Sequence, residues 1–217
     1  LAEEQARMGQ IHHANPFRVL ADPRVLLCCV TYMGMPLGAY GLSYWLPTVV
    51  KGFGVSNTAN GFINILPWIV VAAGLYWIPR RAARRQESTW HIITPCLVAA
   101  ASLVLSVVIP DPVAKFAFLC LAAGGIFSCQ PVFWTLPTTF MHGATAAAGI
   151  AVINSIGNLG GFIAQSIVPL IRDRTGSNLA PMLFLAACLV WTCAMVLLTK
   201  AVLARPRSLA MPLGDGI

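Results

Sequence analysis

Charged positions divide this chain into long apolar stretches. Five runs contain no charged residue, and they are 25–50, 52–79, 88–110, 116–171 and 175–199. A helix rises about 1.5 Å per residue and needs roughly 20 apolar residues to cross a hydrocarbon core of about 30 Å, so each run holds at least one span. Because the run at 116–171 is long enough for two, the pattern predicts six membrane-spanning helices.

The reversal inside the longest run is predicted at residues 136–143, which read LPTTFMHG. Proline and glycine break a helix there, and the segment is more polar than its surroundings. The six predicted spans are 25–50, 59–78, 90–109, 114–136, 144–171 and 179–203. Short turns between them predict that consecutive helices are antiparallel neighbours. We therefore expect a cytoplasmic linker at 1–22, a six-helix bundle at 23–203 and a cytoplasmic tail at 204–217.

Composition supports an all-α membrane protein. Hydrophobic residues make up 58% of the chain and charged residues 10%, with a mean hydropathy of +0.76. A soluble domain has about 25% charged residues, so a water-soluble core is excluded. The apolar runs also lack the alternation typical of outer-membrane strands, which leaves helices as the structure that satisfies the backbone inside a bilayer.

The basic residues predict the orientation of the chain. Ten Lys and Arg side chains lie in residues 1–24, 80–85 and 200–207, whereas the other loops contain only Lys51, Lys115, Arg172 and Arg174. Since basic loops stay in the cytoplasm, both termini are predicted to be cytoplasmic. The net charge of +7 is spread over short loops rather than over one basic face with aromatics, so no nucleic-acid partner is expected.

The inventory of chemical groups points away from catalysis. All seven cysteines fall inside predicted spans, where a thiol behaves as a small apolar group, and their spacing predicts neither a disulfide nor a metal site. No catalytic motif is present, so neither an enzyme nor a cofactor is expected. The polar first 22 residues do not form a signal peptide, and the chain opens with Leu1, from which we expect that sequence upstream was lost or processed.

The fifth span has the most informative polar pattern. Asn154 and Asn158 lie one turn apart, and Gly161 and Gln165 continue the same face. An unpaired amide that faces lipid costs several kcal/mol, so this face must contact other helices or a wet cavity. Two interpretations remain open, which are hydrogen bonding between helices and a surface that faces a substrate.

Aromatic and amide side chains also share faces in the fourth and first spans. Gln130 and Trp134 are one turn apart, and so are Tyr40 and Tyr44. Tyr44, near a span end, is typical of an anchor at the membrane interface. Tyr40 and Trp134 lie deeper, and for them we favour a cavity in which a ring with a polar tip selects small organic solutes.

Other polar positions have less specific interpretations. The start of the second span carries three asparagines on one face, which are Asn57, Asn60 and Asn64. They either gate the outer mouth of a substrate cavity or cap and pack the helix. Apart from Lys115 and Lys200, which lie near span ends, the predicted spans contain no Asp, Glu, Lys or Arg. His142, in the turn before the fifth span, is the nearest titratable group and is expected to be a solvated loop histidine.

Three stretches together resemble the second half of a major facilitator superfamily transporter. They are residues 40–48 (YGLSYWLPT), 131–138 (PVFWTLPT) and 148–162 (AGIAVINSIGNLGGF). The sequence of these stretches is similar to that of the anion:cation symporter branch, in particular to bacterial permeases of tartrate, phthalate and 4-hydroxyphenylacetate. The resemblance covers residues 20 to 178, and the last stretch is its most specific part.

The resemblance implies a fold and a site. The chain would be the C-terminal six-helix half of a twelve-helix fold, in which each half contains two inverted three-helix repeats and substrate binds between the halves. In that family the substrate-gripping arginine and the proton-carrying acids lie mainly in the N-terminal half. The family's contacts in the other half imply substrate-binding roles for a set of five residues, Tyr40, Gln130, Trp134, Asn154 and Asn158.

One departure from the family pattern concerns the loop after the second span. The family has an Asp before its basic cluster at this place, whereas residues 77–85 read WIPRRAARR. In the superfamily that carboxylate helps to latch the cytoplasmic gate. Its absence puts gating on this side in doubt.

Together these patterns predict a secondary transporter of the bacterial inner membrane. Its substrate would be a small organic anion such as a dicarboxylate, aromatic acid or sugar acid, moved with protons, and its partners would be the lipid bilayer and a missing N-terminal six-helix half. Two alternatives remain. One is a truncated half-transporter that does not transport, and the other is a carrier of neutral sugars or hydrophobic compounds in the same superfamily.

Overall fold

The structure is a computed structural model that describes residues 20–204 except 53, 55 and 142, and it gives no side-chain surroundings for residues 45, 48 and 144. Its long helices are α1 (Pro23–Lys51), α2 (Asn57–Arg85), α3 (Thr89–Val108), α4 (Pro112–Phe133), α5 (Gly143–Thr175) and α6 (Leu179–Leu203). All six are long and apolar enough to cross a membrane, which confirms the predicted number of spans. Most of the predicted linker, the predicted tail after residue 204 and His142 lie outside the described residues.

Local chemistry explains where the helices begin and end. The Asp111 carboxylate accepts a hydrogen bond from the Ala114 amide at 2.7 Å and caps α4, as expected for an acidic side chain before a helix. Gly176 ends α5 with a φ of +64°, and its amide donates to the Arg172 carbonyl at 2.7 Å. The predicted turn between the fourth and fifth spans contains the short 3-10 helix Pro137–Thr139.

Helix α2 is longer than its predicted span and is interrupted. It runs as two segments, Asn57–Ile63 and Leu66–Arg85, with the break just before Pro67, which has no amide hydrogen to donate. The prediction that the span stops at residue 78 describes only its apolar part, because the arginines that follow continue the helix. Arginine is a good helix former and is favourable at a helix C-terminus.

The helix neighbours differ from those predicted by the short loops. Helix α1 packs mainly against α5 and α6, and α4 packs mainly against α2 and α3. Among the described residues, α3 and α4 are the one consecutive pair that packs extensively, so the prediction that consecutive helices are neighbours was wrong for most pairs. A short loop restrains only the two ends that it joins, whereas the faces of the helices decide which of them pack along their length.

The helix contacts have an approximate two-fold relationship. Exchanging α1, α2 and α3 with α4, α5 and α6 converts the α1–α5 contact into α4–α2, and it converts α1–α6 into α4–α3. The α3–α6 and α1–α4 contacts are converted into themselves. This pattern agrees with the two three-helix repeats that the resemblance implies.

Small residues lie at the corresponding close contacts. Gly34 on α1 fits against Thr192 on α6, and Gly125 on α4 fits against α3, where an added Cβ would lie 2.5 Å from the carbonyl oxygen of Pro95. Because lipid tails are as apolar as the helices, close backbone approach and packing hold the bundle together. Glycine thus marks the same kind of contact in both halves of the bundle.

Hydroxyl and thiol groups form contacts between helices inside the bundle. The Thr31 hydroxyl of α1 lies 2.9 Å from the Thr199 hydroxyl of α6, and either atom can donate. The thiols of Cys96 and Cys129 approach to 3.5 Å between α3 and α4. The cysteines are buried or half-buried, as expected for thiols used as apolar packing groups.

Candidate functional site

The six helices differ in how much of their surface is buried inside the bundle. In α1 and α4, 72% and 61% of the most apolar stretch is buried within the bundle, against 11% in α2 and 28% in α5. The most exposed helices are therefore α2, which lies beside α4, and α5, which lies beside α1. The predicted site residues belong to α1, α4 and α5, or directly follow α4 in the case of Trp134.

The two asparagines of α5 form one hydrogen-bonded unit. The Asn158 side-chain amide donates to the Asn154 carbonyl at 2.8 Å and to the Asn154 side-chain oxygen at 2.9 Å. Asn154 is exposed and Asn158 is half-buried. Both described bonds lie within α5, so the interpretation that these amides connect neighbouring helices finds no hydrogen bond here. The pair instead presents preoriented amide groups at the uncovered side of the helix.

A glycine face holds α5 directly against α1. The ring of Tyr40 lies over Gly161, the ring of Tyr32 lies over Gly157, and the carbonyl of Met33 approaches Gly160. A Cβ at any of these three glycines would collide with the facing atoms. The contact sets the Tyr40 ring about one helical turn from Asn158, and 47% of Tyr40 remains exposed.

Trp134 is held by a tyrosine that the sequence analysis missed. Tyr32 is buried, with its ring centroid 4.8 Å from that of Trp134 and 5.0 Å from that of Phe133. Tyr32 also contacts Gly157, so this one ring connects α1, the end of α4 and α5. A signal was available in the sequence, because Tyr32 lies two turns before Tyr40 on the same face of α1.

Gln130 remains separate from the other predicted site residues. It is half-buried on α4, one turn before Trp134, and within the described residues it forms no hydrogen bond to the other four side chains. A small apolar crevice between α1, α2 and α4 is lined by other residues, among them Ser43 and Phe127. The structure thus places the Tyr40 ring directly on α5 and connects Trp134 to α5 through Tyr32, and it leaves Gln130 without a described contact to them.

The titratable groups of the bundle lie at its ends. Burial by itself would raise the pKa of Glu87, but the Trp90 amide, which lies 3.0 Å from both carboxylate oxygens, and the ring of His91 at 3.1 Å hold this pKa below its ordinary value. Lys200 of α6 acts in the same direction. The described residues contain no group of three side chains suited to hold a metal ion.

Comparison with known proteins agrees with this architecture. The sequence pattern of the family described as the Major Facilitator Superfamily matches residues 3–165. The chain is 38% identical over 209 residues to a quinolone resistance transporter of Acinetobacter baumannii, which covers 96% of this chain and 48% of that protein. It is 40% identical over 187 residues to a protein of Agrobacterium vitis named as a candidate tartrate transporter, which covers 86% of this chain and 43% of that protein.

A further relative is the inner membrane transport protein RhmT of Escherichia coli, with 34% identity over 174 residues, covering 79% of this chain and 40% of that protein. The chain thus spans less than half the length of these curated relatives. Its six helices correspond to half of a twelve-helix fold.

Proposed function

Because the chain belongs to the Major Facilitator Superfamily, and is thus a multi-pass membrane protein, we propose that it forms the C-terminal half of a secondary active transporter. The transporter carries a small organic anion, such as a dicarboxylate, aromatic acid or sugar acid, together with protons. It lies in the bacterial inner membrane with both termini in the cytoplasm. No catalytic role is proposed.

The observation that carries this proposal is the group of polar side chains at the uncovered side of α5. Asn154 is exposed there beside Asn158, and the half-exposed Tyr40 ring of α1 lies over Gly161, about one turn further along α5. Amides and a phenol in a membrane-spanning region are costly unless they face a wet cavity or another protein surface. A substrate cavity between two six-helix halves satisfies that requirement.

The partner in this proposal is an N-terminal six-helix half. Its position follows from the low burial of α5, since the exposed Asn154 on this helix needs a protein surface or a wet cavity opposite it. The carboxylate in the described spans is Asp173 at the end of α5, away from the proposed cavity, so the proton-carrying and anion-gripping charges belong to the other half. Alternating access then consists of one half rocking against the other.

Within the cavity, each of the proposed residues has a defined task. Asn154 donates a hydrogen bond to a hydroxyl or carboxylate oxygen of the substrate. Asn158 orients Asn154 through their hydrogen bond and accepts from a substrate hydroxyl with its own side-chain oxygen, and Tyr40 adds a phenol at the same side. Trp134 supplies an aromatic wall that Tyr32 holds in place through their ring contact. Gln130 approaches the substrate from α4. The role of Gln130 rests on the resemblance, because none of its contacts in the structure supports it.

Substitution of Asn158 provides the test. In cells that express the complete transporter gene, uptake of labelled tartrate and of labelled aromatic acids is measured with and without an uncoupler. We expect Asn158→Ala to reduce uptake of the transported acid by about 10–100-fold, because it removes the side chain that orients Asn154 toward the substrate, and a hydrogen bond to a charged group contributes about 1.5–3 kcal/mol. Asn178→Ala is the matched control, since this asparagine precedes α6 and its side chain makes no capping hydrogen bond.

Three results would count against the proposal. If the Asn158→Ala variant takes up every organic acid at the original rate, the two asparagines do not belong to the substrate site. Uptake that continues in the presence of an uncoupler would remove the coupling to protons. If no labelled acid accumulates in cells with the unsubstituted gene, organic acids are not the substrates of this transporter.

A second candidate function is export of aromatic, hydrophobic compounds. It is favoured by the quinolone resistance relative, which matches nearly the whole chain. The two candidate functions predict different quinolone contents in the same cells. An exporter lowers the amount of a fluorescent quinolone in the cell, and an uncoupler restores it, whereas an organic-acid importer leaves the quinolone content unchanged.

A further inference from the structure

The end of α2 carries two parallel rows of an aromatic residue followed by two arginines. One row is Tyr76, Arg80 and Arg84, and the other is Trp77, Arg81 and Arg85. The spacing of four residues places the members of each row on one face of the helix. All six side chains are exposed, with 55% of Tyr76 and 65% of Trp77 accessible.

This arginine face points away from the bundle. The side of the same turns that faces the bundle carries Ala82, which is buried, and Ile78, which packs against the core. Arg80 is held against Tyr76, because its Nη1 donates to the phenol oxygen at 3.0 Å and its guanidinium carbon lies 5.4 Å from the ring centroid. At least one guanidinium is therefore positioned at the level of the aromatic pair.

The described part of the chain provides no carboxylate for these arginines. Its ion pairs are Arg24 with Asp22 and His91 with Glu87. Glu87 is the nearest acid in sequence, and its carboxylate is occupied by the Trp90 amide and the His91 ring. Four guanidinium groups that lie within six residues repel one another, so this surface is complementary to an anion.

We propose that the arginine face of α2 binds the phosphate headgroup of an anionic phospholipid. The apolar span of α2 ends at this level, and Tyr76 and Trp77 are the side chains expected at the height of lipid headgroups. The guanidinium group matches phosphate oxygens in a two-pronged geometry. The inference is independent of the substrate proposed above, because it concerns a helix face outside the candidate substrate site.

Lipid binding to the full 217-residue chain tests the proposal. The purified protein is titrated with phosphatidylglycerol or phosphatidylcholine in detergent, and bound lipid is counted by native mass spectrometry. We expect the variant with Arg80, Arg81, Arg84 and Arg85 all changed to Gln to bind phosphatidylglycerol at least about tenfold more weakly. The matched control changes Lys51, Lys115, Arg172 and Arg174 to Gln, which removes the same charge elsewhere.

Two additional measurements separate the recognition of phosphate from effects on folding. Helix content and elution volume of both quadruple variants should equal those of the parent protein. Changing the four arginines to Lys keeps the charge but loses the planar fork, and we expect it to weaken binding less than the Gln variant and to leave phosphatidylglycerol still preferred over phosphatidylcholine.

The proposal is overturned by any of four outcomes. The Gln variant and its control can lose binding equally, which would show an effect of net charge alone. Phosphatidylcholine can bind as tightly as phosphatidylglycerol. Inorganic phosphate can displace the lipid completely, or the Gln variant can retain full binding, in which case the face serves free phosphate or an acidic protein surface.

Discussion

At the scale of single residues, the site depends on side chains whose partners differ from those expected from the sequence alone. Asn158 bonds to Asn154 within its own helix, and Trp134 packs against Tyr32 with the two rings tilted by 55°. Spacing along a helix correctly placed the two asparagines on one face. It put Tyr32 on the same face of α1 as Tyr40, but it did not show that Tyr32 is buried between Trp134 and Gly157.

Glu87 offers a residue-scale prediction on pH dependence. Its folded pKa is lowered, so its stabilising contribution is present above the ordinary value of 4.5 and is lost as the pH falls through the folded pKa. We expect Glu87→Gln to reduce the free energy of unfolding by about 0.5 kcal/mol near neutral pH, because the carboxylate is partly solvated. The difference should shrink below pH 4.5 and disappear in more acid solution.

Thermal unfolding of the purified protein in detergent, followed at several pH values, measures this difference. Asp173→Asn serves as the control, since Asp173 is an exposed acid at the end of α5. A Glu87→Gln effect that stays constant down to about pH 3 would show that packing, and not the carboxylate charge, is responsible.

At the scale of helices, packing is decided by small residues. The α1–α5 contact is built on Gly157, Gly160 and Gly161, and Gly125 has the same function between α4 and α3. Polarity cannot select these partners, because every helix is apolar and lipid is an equally good neighbour. The helices that pack together are those that allow their backbones to come close.

Gly160→Ala tests this account of the α1–α5 contact. The added Cβ would collide with the backbone carbonyl of Met33, which cannot rotate away, so the two helices must separate. Overpacking of this kind costs about 1–3 kcal/mol, and we expect a clear fall in the melting temperature of the purified protein.

Gly61→Ala is the matched substitution for Gly160→Ala. Gly61 also lies in a helix, but no atom lies within 4 Å of its added Cβ. Replacing a helical glycine by alanine in open space stabilises by about 0.5–1 kcal/mol, so we expect an equal or higher melting temperature. Equal losses in both variants would show that the glycines of α5 do not form a special contact.

At the scale of the whole molecule, the bundle has covered and uncovered sides. Helices α1 and α4 are largely buried in the bundle, and α2 and α5 are not. The chain also spans less than half the length of its curated relatives. Under the proposed function, the exposed side of α5 faces a substrate cavity, and the exposed side of α6 faces lipid.

Cysteine labelling distinguishes these two environments in the complete transporter. In a background with Cys188→Ala, which removes the half-buried thiol, we expect Asn154→Cys to react with a water-soluble maleimide and to be protected by substrate. Leu197→Cys on α6, where 46% of the leucine is exposed, should react only with a lipid-soluble maleimide. Equal reaction of both variants with the water-soluble reagent would contradict a cavity at α5.

The sequence by itself determined the six spans, their approximate ends and the family. Crossing a bilayer is a requirement on consecutive residues, so a count of apolar positions between charges is sufficient to detect it. The helix that differed from its predicted span, α2, did so at a proline break and at arginines that extend it beyond the apolar stretch.

Only the tertiary structure decided which helices are neighbours and which polar residues meet. The α1–α5 and α2–α4 contacts join segments far apart in sequence, and they place Tyr32 between Trp134 and Gly157. Close packing depends on the shapes of two surfaces at once, and a pattern along one chain does not contain that information.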